Sequence, residues 1–260
     1  RRASARRRAS YWRCVCGERA MNAKLPAEQN LEILSHVAAA IGELRETLVF
    51  VGGCATGLLV TDVRAQPIRA TIDVDLVAHV VSRAEYRAIE KQFEALGFVH
   101  DLSADAPICR WRSGEIAVDL MPTDESILGF NNRWYVLAVE TAQSLELPTG
   151  LTINLITAPA FIATKLEAFK GRGNNDYLAS HDMEDIVTVI DGRATLLEEV
   201  ERSDPPLREY LVTEFSALMA NPRFIEALGG HLPGDSGSQQ RLPRLRARLR
   251  ALAARATTEE

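Results

Sequence analysis

Two carboxylates in an otherwise apolar strand constrain this chain more than any other feature. The stretch RATIDVDLVAHV, Arg69 to Val80, sets Asp73 and Asp75 among Ile72, Val74, Leu76 and Val77. Side chains alternate across a strand, so both acids project from one face with Cα atoms roughly 6.5 to 7 Å apart. Ionised carboxylates that close, held among apolar neighbours, repel each other and lose hydration, and a cation between them relieves both costs. A third acid, Asp119, lies in EIAVDLMP, again between apolar residues on what reads as a neighbouring strand. Three carboxylates on adjacent strands suit hard, oxygen-ligated divalent ions, Mg2+ or Mn2+, which share their coordination with substrate phosphates. The plainer alternative is that the acids sit at exposed strand ends and bind nothing.

Upstream, FVGGCATGLL runs a strand into Gly52 and Gly53 and then into a helix. Free N–H groups at such a helix start can face an anion, and glycine lets the backbone approach it closely. By itself the pair is only a tight turn; the acids that follow give it weight.

Around this centre the periodicity predicts an α+β fold: a mixed β-sheet core with flanking helices, then a helical C-terminal part. AEQNLEILSHVAAAIGELRE reads as a helix burying Leu31, Leu34, Val37, Ile41 and Leu44, and SRAEYRAIEKQFEALG as one opened by a Ser82–Glu85 capping box. FVHDL, ICRWRS and EIAVDLMP read as strands, the last two joined at Ser113-Gly114. RWYVLAV and LTINLI read as two more, with a turn at Pro148 to Gly150 before the second. From Pro159 onward the pattern is almost entirely helical. The expected division is a basic extension over residues 1–20, a core over 21–157, a helical domain over 158–230, and a linker with a basic amphipathic helix over 231–260.

The formal net charge of −5 is unevenly spread, because residues 1–20 hold seven arginines against Glu18 and leave residues 21–260 at −11. So acidic a body excludes a general nucleic-acid-coating role. The composition of residues 1–20 fits an organelle transit peptide; the reading adopted is that Met21 opens the native protein and that this segment stands outside the fold. Cys14, Cys16, Cys54 and Cys109 form no C-x-x-C pair and have no histidines at zinc spacing, which favours reduced thiols. No apolar run approaches the roughly 18 residues of a membrane span, and a cytoplasmic location is expected. RLPRLRARLRALAARA carries six arginines from Arg241 to Arg255 with Leu242, Leu245, Leu249 and Leu252 at helical spacing. This helix is either solvated, docked on the acidic body, or a surface for an RNA backbone.

Gly52-Gly53, Asp73-x-Asp75 and the strand acid Asp119 together resemble the DNA polymerase beta-like nucleotidyltransferase superfamily. More narrowly, VGGCATGLL...RATIDVDL followed by KLEAFKGRG and SHDMEDIV is similar to the AbiEii/AbiGii-type nucleotidyltransferases, toxin halves of toxin–antitoxin and phage-defence systems, over about Leu48 to Arg193. The resemblance implies that Gly52 and Gly53 contact a nucleoside triphosphate, that Asp73 and Asp75 hold the metals, and that Asp119 completes the metal site and polarises the attacking hydroxyl. Lys165 matches the lysine placed against the triphosphate and Arg172 its second cation. Asp182 and Asp185 match an acidic motif that contacts the nucleotide or fixes Lys165 and Arg172. It further implies a tRNA or protein acceptor and a cognate antitoxin. Two departures stand out: many members have serine where this chain has Gly53, and nineteen residues between Gly53 and Asp73 exceed the usual gap.

From the residues alone, the KLEAFKGRG helix is an ordinary amphipathic one with Ile162, Leu166 and Phe169 buried and its cations solvated. Ser180 with Asp182, Glu184 and Asp185 is then simply a capped, acid-rich first turn. His181 reads as a catalytic base or, more simply, an exposed cap neighbour. Besides nucleotidyl transfer, a kinase-like γ-phosphoryl transfer and a non-catalytic nucleotide-binding or antitoxin-like protein fit the same residues.

Overall fold

The computed structural model describes residues 25–62 and 68–254. The arginine-rich segment at 1–20, Cys14 and Cys16, and Arg255 lie outside the described residues. At the centre is β1 (Leu48–Val51), apolar at every position and buried at every position, as a strand covered on both faces must be. β2 (Asp73–Ala78) pairs antiparallel with it, Val51 opposite Asp75. Beyond the two-residue β3 (Val99–His100), β4 (Arg110–Ser113) turns through Gly114, at φ +59, into β5 (Ile116–Pro122). β5 then lies parallel to β2 and brings Asp119 beside Asp75. β6 (Gln143–Glu146) and β7 (Thr152–Leu155) form a hairpin that joins the far side of β1. The sheet has seven strands in the order β3-β4-β5-β2-β1-β7-β6. The expected mixed sheet with flanking helices and a helical C-terminal part is what the chain forms.

Three helices pack against the central strands: α1 (Pro26–Ala40), α2 (Gly52–Leu59) and, after α3 (Arg83–Ala95), the short α4 (Tyr135–Glu140). In α1 the expected residues Leu34 and Val37 are buried, with Ile41 and Leu44 just after it, while Leu31 is half-covered. α3 starts at Ser82, whose Oγ accepts from the Glu85 N–H; the Glu85 carboxylate accepts from Val81 rather than from Ser82. α4 corrects the sequence reading, since RWYVLAV is helical and the strand falls in the next segment, QSLE. A six-residue apolar run does not distinguish a short helix from a strand, and an exposed edge strand such as β6 carries little apolar signal.

The helical part is α5 (Ala158–Arg172), α6 (His181–Gly192), α7 (Pro205–Ala220) and α8 (Leu242–Ala253), with short helical turns between. Pro159 sits in the first turn of α5, where its missing N–H costs nothing. Basic α8 is docked rather than solvated: Leu245, Leu249 and Leu252 are buried, and it packs on α7 and α6. Arg244 and Arg248 donate to the Asp191 carbonyl, Arg248 also to that of Ile190, at the C-terminal end of α6. Those carbonyls carry the negative end of the helix dipole, so arginine suits them. Asp191 itself is fully buried, between Arg241 at 3.4 Å and Arg244 at 3.7 Å. One apolar cluster runs unbroken from Leu34 through the sheet to Leu252. Among the described residues, no helix is long and apolar enough to cross a membrane.

Candidate functional site

Strand register places the three predicted acids. Asp75 and Asp119 are direct partners across β2 and β5, and Asp73 lies two residues back on the same face. Asp75 reaches the start of α2, where Gly52 stands at φ +71 and a Cβ would overlap the Asp75 carboxylate. Only glycine satisfies both demands at that position. Burial, together with the charges of Asp73 and Asp119, pushes the Asp75 carboxyl up to about 7, against the opposing pull of Lys165 and Arg172. Cys54, on α2, feels the same acids: burial, Asp75 and Asp73 raise its thiol to about 12, which leaves it inert.

Asp119 does not stand open to a metal. Arg110, opposite it across the β4–β5 hairpin, donates Nε to Oδ1 and Nη2 to Oδ2, both at 2.7 Å, and Nη2 also lies 3.4 Å from Asp73 Oδ2. This forked hydrogen bond raises the Arg110 pKa, with burial opposing and the Asp119 and Asp73 charges adding to it. Thr71 donates its hydroxyl to Asp73 Oδ1. Among the described residues, no three His, Cys, Asp or Glu side chains stand as a ready metal cluster. Asp73 and Asp75, oxygen donors on one strand face, fit a hard divalent ion. Asp119 fits only if Arg110 releases it.

The second half of the site comes from the helices. Lys165, buried on α5, lies 2.7 Å from Asp185 Oδ2 and 3.3 Å from Asp182 Oδ1. Arg172, two turns further on, grips Asp182 through Nε and Nη2 at 2.9 Å each. Burial works against the Lys165 charge, but Asp185, Asp182 and Asp75 outweigh it and raise its pKa. For Asp182, burial is outweighed by Arg172 and Lys165, which hold its carboxyl low. The sequence offered two roles for these acids, contacting a nucleotide or fixing the cations, and the observed pairs are of the second kind. His181 is exposed at the head of α6, its Nδ1 3.3 Å from Glu184, and Ser180 accepts from the Met183 N–H as its cap. Arg172, Asp182, Ser180 and His181 line a cleft of about 530 Å³ with Asp73 and Arg69.

No protein-family model matches this chain, and no curated protein does. Among solved structures, the antibiotic-resistance factor ANT(2'')-Ia is similar at a TM-score of 0.44 and 19% identity, over 72% of this chain and 94% of that one. A likeness that slight adds nothing to the geometry.

Three residues of the site were missed in the sequence. Arg69, in the loop before β2, grips Asp185 through Nε and Nη2 at 3.1 Å each. Asn30, buried on α1, straps that loop by donating to the Arg69 carbonyl and accepting from the Thr71 N–H. Arg110 was the readable one: a hairpin turning at Ser113-Gly114 pairs residues 110 and 119 by its own register.

Proposed function

We propose that this chain is a nucleotidyltransferase that moves a nucleoside monophosphate from a nucleoside triphosphate to an acceptor hydroxyl or side chain. The observation that carries it is the seating of Asp75 on the bare backbone of Gly52 at the start of a helix, in register with Asp119. Asp73 and Asp75 would hold Mg2+ or Mn2+, which when bound supplies positive charge against the phosphates. The α2 N-terminus faces the phosphate chain with free N–H groups, and Lys165 and Arg172 offset the charge that develops on the pyrophosphate leaving group. Asp182 and Asp185 hold those cations in place. No protein nucleophile takes part, since the acceptor attacks the α-phosphorus in line.

The finer assignment follows the sequence resemblance: an AbiEii-type toxin of a toxin–antitoxin or phage-defence pair, acting on tRNA or a protein. The acidic body favours an acceptor recognised locally rather than coated nonspecifically. Incubation with each α-labelled triphosphate plus total RNA and protein extract should label one acceptor class, with Asp73→Asn and Asp75→Asn silent. Label carried only from the γ position would convert the reading to a kinase-like transfer. Undiminished turnover in either Asn variant would reject the site. One observation favours a second reading, a nucleotide-binding protein without turnover: Arg110 already neutralises Asp119. Nucleotide binding with no labelled product from any acceptor would establish it.

A further inference from the structure

Five charged side chains form a continuous series, Arg69–Asp185–Lys165–Asp182–Arg172. Asp185 Oδ2 is shared by Arg69 Nη2 at 3.1 Å and Lys165 Nζ at 2.7 Å, and Asp182 Oδ1 by Lys165 at 3.3 Å and Arg172 Nη2 at 2.9 Å. Three cations on two acids leave the series itself one net positive charge, and its terminal members, Arg69 and Arg172, both border the 530 Å³ cleft, which Asp73, Asp176 and Asp182 also line. Lys165 is buried, so the two arginines are the cations of the series that reach the cleft surface.

Arg69 is placed for more than pairing. A Cβ at Gly53, in the first turn of α2, would run into Arg69 Nη2. The guanidinium therefore fills the space that a side chain at 53 would occupy, beside the free N–H groups of that helix start. Asp185 takes its Nε and one Nη2 hydrogen, and among the described residues nothing takes the Nη1 end. Asn30 fixes its backbone by donating to its carbonyl. A fork anchored at one edge and free at the other suits a phosphate oxygen.

We propose that Arg69 is a phosphate-binding residue of this site, standing in for a side chain at position 53, with Asp185 as the residue that positions it. The proposal deepens the nucleotidyltransferase reading and rests on it. The ligand class is a linear polyphosphate, free or as the tail of a nucleoside triphosphate.

The test is calorimetric titration of inorganic tripolyphosphate into the full chain, with and without Mg2+, alongside thermal unfolding of each variant. Arg69→Gln should weaken binding by about tenfold or more while the protein stays folded, since a charge-assisted contact is lost. Arg69→Lys should recover part of the loss. Gly53→Ser, which crowds the guanidinium without removing its charge, should weaken binding in the same direction. Exposed Arg172→Gln serves as the reference. Weakening by Arg172→Gln with none from Arg69→Gln or Gly53→Ser overturns the role of Arg69 and leaves the reading of the site intact. Absence of tripolyphosphate binding by the parent chain overturns both.

Discussion

Gly52 carries two demands at once, a left-handed backbone and no side chain under the Asp75 carboxylate. Gly52→Ala should cost about 1–3 kcal/mol in backbone strain alone, with loss of the Asp75 position, and urea unfolding against nucleotide binding separates the two. Asp75 gives the chain a pH signature. Its folded-state pKa of about 7 lies above the ordinary carboxylate value of 3.8. Between those values Asp75 holds its proton in the folded chain but not in the unfolded one, so its contribution to stability falls as pH rises from about 4 to about 7 and then levels. In chelator-containing buffer, Asp75→Asn should flatten that slope; denaturation midpoints at pH 5 and pH 8 decide it. Asp73, Asp75 and Asp119 could be singled out in the sequence because acids in apolar strands have few other reasons to be there, and the strand register sets them side by side. Arg69 stayed hidden because its partner Asp185 lies far along the chain, and no local pattern joins a loop arginine to a helix acid.

Elements whose periodicity met a single burial demand were legible, and those shaped by their neighbours were not. β1, α1 and the β4–β5 hairpin followed from apolar runs and a glycine turn. α4 and β6 did not, since one is a short apolar run only partly covered and the other an exposed edge. Sequence left the basic terminal helix open between solvent, body and RNA, because its leucine stripe fits docking and its arginines fit all three. Docking prevails where the arginines meet the carbonyl end of α6 and buried Asp191. Leu249 is fully buried on that helix. Leu249→Ala should destabilise the protein by about 2–5 kcal/mol, read as a shift in urea midpoint, whereas alanine for an equally placed but exposed residue would not.

Across the whole molecule, the site is divided between sheet and helices while the core is not. Asp73, Asp75 and Asp119 belong to the sheet, Lys165, Arg172, Asp182 and Asp185 to the helices, and one apolar cluster underlies them all. Unfolding should therefore be a single cooperative event. With Trp12 and Trp134 replaced by Phe, Trp111 fluorescence follows the sheet and far-ultraviolet dichroism follows mainly the helices; the two transitions should coincide, and separated midpoints would show two independently melting halves. The last helix has a reach beyond its own contacts. α6 presents Asp182 and Asp185 at one tip and is anchored at the other by Arg244 and Arg248. Removing α8 should thus loosen the proposed polyphosphate site roughly 13 Å away, nine residues back along α6, making that helix a remote governor of affinity.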